Sequence, residues 1–161
     1  MATVESKKKT KEKKKPPVER VDEKLLLDPG KYELSENDTF KIEFSATKKQ
    51  NRWIITEMVG RGAQWVEFKM WTFNEEIELR KMSTTFDMSK RMHLIDHDIL
   101  NRLKIQRLMT SWSFEEDNPR LKLLHLNGIL SDEGWEAFTR LHPNISRYII
   151  EQMNTILEYN Q

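Results

Sequence analysis

The chain of 161 residues contains no cysteine. That excludes disulfides, thiolate nucleophiles and Cys-ligated zinc or iron–sulfur centres. No apolar run approaches the roughly 18 residues that a transmembrane helix needs. The positive N-terminus is not followed by the apolar stretch of a signal peptide. Together these imply a cytoplasmic protein without a membrane partner. Glycine and proline are scarce, five of each, so each marks a specific break in the chain. Gly60-Arg61-Gly62 lacks the Lys-Ser/Thr of a phosphate loop and reads as a turn. There is no Gly-x-Ser-x-Gly elbow. Glu115, Glu116 and Asp117 are paired acids in a polar stretch, with no pocket implied that would shift one of them. His93, Asp96 and His97 bring ligand types together, but His93 precedes the start of the helix and the spacing for a shared metal fails. His125 and His142 are isolated and read as loop or cap residues. No metal, no cofactor and no enzymatic activity are expected.

What is present is charge, unevenly placed. Charged residues make up 33% and apolar ones 37%. Residues 1–24 carry nine Lys/Arg against five Asp/Glu, +4 of a total of +1, so residues 25–161 sum to −3. Lys7, Lys8, Lys9, Lys11, Lys13, Lys14 and Lys15 lie before a Pro pair, without an aromatic among them. Such a segment cannot offset its ordering entropy and is expected to be a disordered basic tail over 1–24. It could contact nucleic acid weakly and without sequence preference, or serve only to solubilise.

Residues 25–161 read as a single domain. Asp28-Pro29-Gly30 is a turn. Thr39 to Ser45 alternates with Phe40, Ile42 and Phe44 on one face; Trp53 to Val59 is β-branched and aromatic; Gln64 to Trp71 alternates again. Three strands so close in sequence suggest an antiparallel meander. Thr72 and Glu75 have capping-box spacing, which predicts a helix over 73–83, although Ile77 and Leu79 leave a fourth strand open. Ser83 to Arg91 reads as a loop.

The longest run that can be one helix with no Gly or Pro inside is Asp96 to Phe114, and it reads as one central helix capped by Asp96. Ile99, Leu100 and Leu103 point one way, and Ile105, Leu108, Met109 and Trp112 the other, as in a helix covered on two sides. Asn118-Pro119 breaks the chain, the leucines of 121–126 stay unassigned, and Asn127-Gly128 turns it. Ser131 caps a helix bearing Trp135, Phe138 and Leu141. Pro143 opens the last helix, which runs to about Glu158. Ile145, Ile149, Met153 and Ile156 share its apolar face, flanked by Ile150 and Leu157. The whole is α+β: a small N-terminal antiparallel sheet, strands about 39–71, then a helical bundle, helices about 73–158.

Five tryptophans are many for this length. Trp65 and Trp71 fall on the sheet face opposite Val66, Phe68 and Met70, and if that face is uncovered it is an aromatic partner surface. Eight methionines also suit an adaptable groove.

Read together, three pieces resemble a family. They are the strand running into a helix, WVEFKMWTFNEEIEL (65–79); the helix ending in Trp, LMTSWSF (108–114); and the terminal helix after Pro, LHPNISRYIIEQMN (141–154). Their order is similar to that of the tail assembly chaperones of tailed bacteriophages, over residues 64–157. The resemblance implies a small protein without a catalytic site, acting in host-cell cytoplasm. Its job would be to coat the apolar helices of a tape measure protein, with homo-oligomers open. It places the partner surface on Trp65, Trp71, Ile149, Met153, Ile156 and Leu157. The alternatives are a virion or neck component, a nucleic-acid-associated accessory protein using the lysine tail, or an unrelated cellular adaptor.

Overall fold

A computed structural model of the chain describes residues 33–35, 37–58, 60 and 63–159. The lysines of 7–15 and the expected boundary after residue 24 lie outside them. The chain divides into two units, Met1–Ser35 and Glu36–Gln161, and every element described below belongs to the second.

Three strands form where the alternation predicts: β1 (Thr39–Lys49), β2 (Arg52–Glu57) and β3 (Gln64–Lys69). Gln50 and Asn51, both at positive φ, close the β1–β2 hairpin. That is the two-residue turn whose twist suits a hairpin. The order is not a meander. β1 is central, with β2 on one side and β3 on the other. At eleven residues it is long enough to pair Phe44–Lys49 with β2 and Thr39–Phe44 with β3.

The capping box is present, Thr72 accepting from the Glu75 amide, and it opens α1 (Phe73–Met82). The open alternative of a strand at Ile77 is thereby settled as helix. Within the expected loop of Ser83 to Arg91 a strand forms instead, β4 (Thr84–Asp87), which pairs as a hairpin with β5 (Met92–Ile95), a stretch the sequence leaves unassigned. Asp87 orders its tip by accepting from the amides of Ser89 and Lys90.

The expected central helix is shorter than its breaker-free run. α2 (His97–Leu108), capped by Asp96, ends at Met109, and the chain continues as β6 (Met109–Trp112). β6 pairs with β3 as the fourth strand of the sheet. No Gly or Pro forces this. Pairing with β3, which puts Trp112 beside Val66, overrides a modest helix preference. A short α3 (Phe114–Asp117), a 3₁₀ turn at Pro119–Leu121 and a two-rung ribbon follow, β7 (His125–Leu126) and β8 (Ile129–Leu130). Ser131 caps α4 (Asp132–Thr139), and Pro143 opens α5 (Pro143–Asn154), which ends in a π-helical turn, Thr155–Tyr159.

Ile42, Phe44, Val66, Phe68, Met109 and Trp112 make the buried face of the sheet. Leu100, Ile105 and Leu108 of α2, Phe138 of α4 and Ile149 and Met153 of α5 join them in one core. The helices pack on the sheet as well as on one another, α4 against both α2 and α5. α5 packs on β1 and β2, and α2 packs among α1, α4 and β8. An apolar sheet face must be covered, and these helices cover it.

Gly134, inside α4, shows how tightly α4 meets the ribbon. A Cβ there would run into Leu130 Cδ1 and lie 3.0 Å from the Leu124 carbonyl oxygen. Leu130 is itself buried and cannot give way. Gly134→Ala is therefore expected to destabilise the fold by about 1–3 kcal/mol by overpacking. At an exposed helix position the same change would stabilise by about 1 kcal/mol. Urea denaturation of the two forms checks the sign.

Candidate functional site

The sequence places six side chains on a partner surface, and the structure separates them. Ile149, Met153 and Leu157 have 0% exposure and Trp71 5%. They are core, because α5 and its π-turn lie with that stripe against the sheet and α2. A partner cannot reach them in this fold. Ile156 is partly buried at the edge of the core. Trp65 alone lies on the opposite sheet face, with Lys41 Nζ 4.6 Å from its ring centroid and 4.0 Å from Glu67.

Lys104 was not anticipated as a site. It falls at i+4 from Leu100 and i−4 from Leu108, on the buried ridge of α2, and its side chain is 1% exposed. A lysine between two core leucines at helical spacing was the available signal. Its ammonium donates to Asn154 Oδ1 at 2.8 Å and to Glu158 Oε1 at 2.7 Å, and lies 5.1 Å over the Trp71 ring. Asn154 Nδ2 donates to Asn101 Oδ1 at 3.0 Å. Arg80, bonded to Glu76 at 3.2 Å, reaches Glu158 at 3.5 Å. The Trp71 indole N–H, buried beside this cluster, has no hydrogen-bond partner among the described residues.

Burial pulls Lys104 below the ordinary lysine value, and the Glu158 charge opposes that pull. Burial alone would raise the Glu158 carboxyl, but the bond and charge of Lys104, with Arg80 and His97, outweigh it and hold it below its ordinary 4.5. Perturbed groups often mark active sites, but structural ion networks perturb them too. This ammonium is shut from solvent and satisfied by its neighbours, so the geometry suits a structural node joining α1, α2 and the C-terminal turn.

The exposed apolar residues lie elsewhere. Of the thirteen large apolar side chains exposed among the described residues, six fall between Phe73 and Met92. That concentration singles out α1 and the β4–β5 hairpin. Met88 at the hairpin tip is 78% exposed and Phe73 at the start of α1 is 74% exposed. Phe86 and His93, cross-strand partners, meet edge to face at 5.1 Å. Met92 opposes Asp87 on the other face. The hairpin thus shows apolar groups on both faces, although two strands alone are marginal in water. Ser83 anchors its base: its hydroxyl donates to Leu79 O at 2.7 Å, and its carbonyl accepts from the Asp96 amide at 2.8 Å.

His125 bonds the Met109 carbonyl oxygen and His142 caps α5. Among the described residues, no group of three or more His, Asp or Glu could hold a metal, and no helix is long and apolar enough to cross a membrane. No protein-family model matches the chain, no curated protein matches its sequence, and no solved structure matches its fold.

The buried pair makes a test. Glu158→Ala strands the Lys104 cation and is expected to destabilise by about 2–3 kcal/mol, less than the loss of a fully buried pair because Glu158 is a third exposed. Lys104→Met keeps the packing, leaves Glu158 with Arg80, and is expected to cost about 1 kcal/mol or less. Because the Glu158 carboxyl is lowered in the fold, its contribution is full above the ordinary carboxylate range and is lost as pH falls through its folded value. Acid titration of stability should show that loss in the native chain and not in Glu158→Gln.

Proposed function

We propose that this chain is a non-enzymatic assembly protein, a phage tail assembly chaperone that shields apolar helices of a tape measure protein. The three-piece pattern of residues 64–157 supports the family reading, and the exposed apolar hairpin supports the mode of binding. The binding surface in this reading is not the stripe of α5 but Phe73, Met82, Phe86, Met88 and Met92. Methionine adapts to irregular apolar partners, and an amphipathic helix presents the complementary stripe. Affinity would come from burial, with little from directed hydrogen bonds.

The test uses the full chain and a synthetic amphipathic helix, Leu and Phe on one face, Lys and Gln on the other. Binding by fluorescence anisotropy is expected, with affinity about tenfold weaker in the Phe86→Ser, Met88→Ser, Met92→Ser variant. These side chains are solvent-exposed, so the variant should keep its thermal midpoint. A chain that ignores the helix but binds duplex DNA in a salt-dependent way would favour the nucleic-acid accessory reading instead.

A further inference from the structure

The four-stranded sheet has two edges, and they differ. β6 is four residues long, and its register with β3 shifts between Glu67 and Phe68. A short, bulged strand is a poor template for further pairing. β2 is six residues long, pairs with β1 without a shift and contains no proline. The two-residue turn at Gln50 and Asn51 makes Lys49 and Arg52 the first bonded pair of this hairpin. The alternation runs on through Thr47 with Ile54 and Ser45 with Thr56 to the bond from Met58 N–H to Glu43 C=O, 3.2 Å. Arg52, Ile54 and Thr56 therefore bond β1, and Trp53, Ile55 and Glu57 turn their N–H and C=O outward. Among the described residues no strand lies beyond them.

Charge is divided along this edge. Lys48, Lys49 and Arg52 gather at the turn end of β2, and Glu57 closes the other end. All four are exposed, and none of the ion pairs among the described residues uses them. Lys48 opposes Trp53 and Glu57 opposes Phe44, so this cation and this carboxylate lie on one sheet face, the face toward α5. On the other face Ile54 is 47% exposed. A strand that is cationic at one end and acidic at the other is complementary to its own antiparallel image.

We propose that β2 pairs with β2 of a second copy, antiparallel, about a two-fold axis at Ile55. This centre engages all three outward residues. Ile55 meets Ile55 of the second copy and Trp53 meets its Glu57, each pair exchanging two backbone bonds. The contact is its own image, so the Trp53–Glu57 pair occurs twice. Glu57 of the second copy then lies one strand from Trp53 and two strands, about 10 Å, from Lys48. The Lys48 stem crosses the Trp53 ring and brings its cation to that carboxylate. Ile54 comes beside Thr56 of the second copy and is withdrawn from water. Parallel pairing would set like charges together. One strand edge is a small contact, so the dimer is weak, with a Kd of about 10⁻⁴ M. The site is separate from the β4–β5 hairpin and stands without the chaperone reading.

Sedimentation equilibrium of the full chain measures the association, and amide exchange of the ¹⁵N-labelled chain locates it. The N–H groups of Trp53, Ile55 and Glu57 are expected to gain protection between about 0.02 and 1 mM protein, with Ile54 and Thr56 protected throughout. Glu57→Lys and Lys48→Glu each set like charges together and should weaken association about tenfold. Both positions are exposed, so both variants should keep the fold. Mixed in equal amounts, the two variants should associate as the native chain does, because each cation again meets a carboxylate at both ends. A chain that stays monomeric at about 1 mM, protection gained at other amides, single variants that associate like the native chain, or a mixture that stays apart would each overturn the proposal. So would a monomer whose three amides shift only with acetyl-Thr-Val-Thr-Val-Thr-amide, which would assign the edge to a foreign strand. The Phe86→Ser, Met88→Ser, Met92→Ser variant should dimerise unchanged; association lost there would place the contact on the hairpin and overturn the proposal.

Discussion

A lysine ammonium inside a protein must be satisfied or it will not stay there, and much of this fold is arranged around that requirement. Lys104 sits on the ridge of α2 that faces the core, where its neighbours on the helix are leucines. To satisfy it, α5 brings Asn154 and the π-helical turn brings Glu158. Arg80 of α1 shares the same carboxylate. Three helical segments far apart in sequence are thereby given one relative position. Apolar packing supplies most of the cohesion, but it is tolerant of sliding. A charged hydrogen bond of 2.7 Å is not tolerant in that way.

Much of the architecture was legible in the sequence because it rests on local chemistry. The three strands, the capping box at Thr72, the Ser131 cap and the Pro143 helix start each follow from residues close together. What was not legible depended on partners distant in sequence. Nothing in Met109-Thr110-Ser111-Trp112 announces a strand; β3, more than forty residues earlier, makes it one through the bond from Ser113 N–H to Trp65 O. The order β2-β1-β3 was missed for a related reason: sequence proximity suggests a meander, while the stagger along β1 decides otherwise.

The candidate site was less legible than the fold. An amphipathic stripe says that a helix buries one face, and leaves open whether the cover is a partner or the chain itself. For Ile149, Met153 and Leu157 the cover is the chain itself. The converse holds for Asn154 and Glu158, which lie off the apolar stripe of that helix and nevertheless accept hydrogen bonds from a buried cation. Composition gives the number of methionines and not their placement: Met88 falls in a stretch that reads as a loop and Met92 in one without a clear pattern, and only the strand pairing displays them together.

The passage from α2 into β6 contains no loop at all: Leu108 is the last helical residue and Met109 the first of the strand. A side chain's direction advances about 100° per residue in a helix and reverses at each residue in a strand. One residue inserted at this junction would therefore either rotate the ridge carrying Lys104 out of the core or turn Trp112 to the wrong face of the sheet. Leu108 and Met109 are both buried, so the junction can accept apolar substitutions of similar size but no change of length. Chain length here is as much a part of the specification as residue identity.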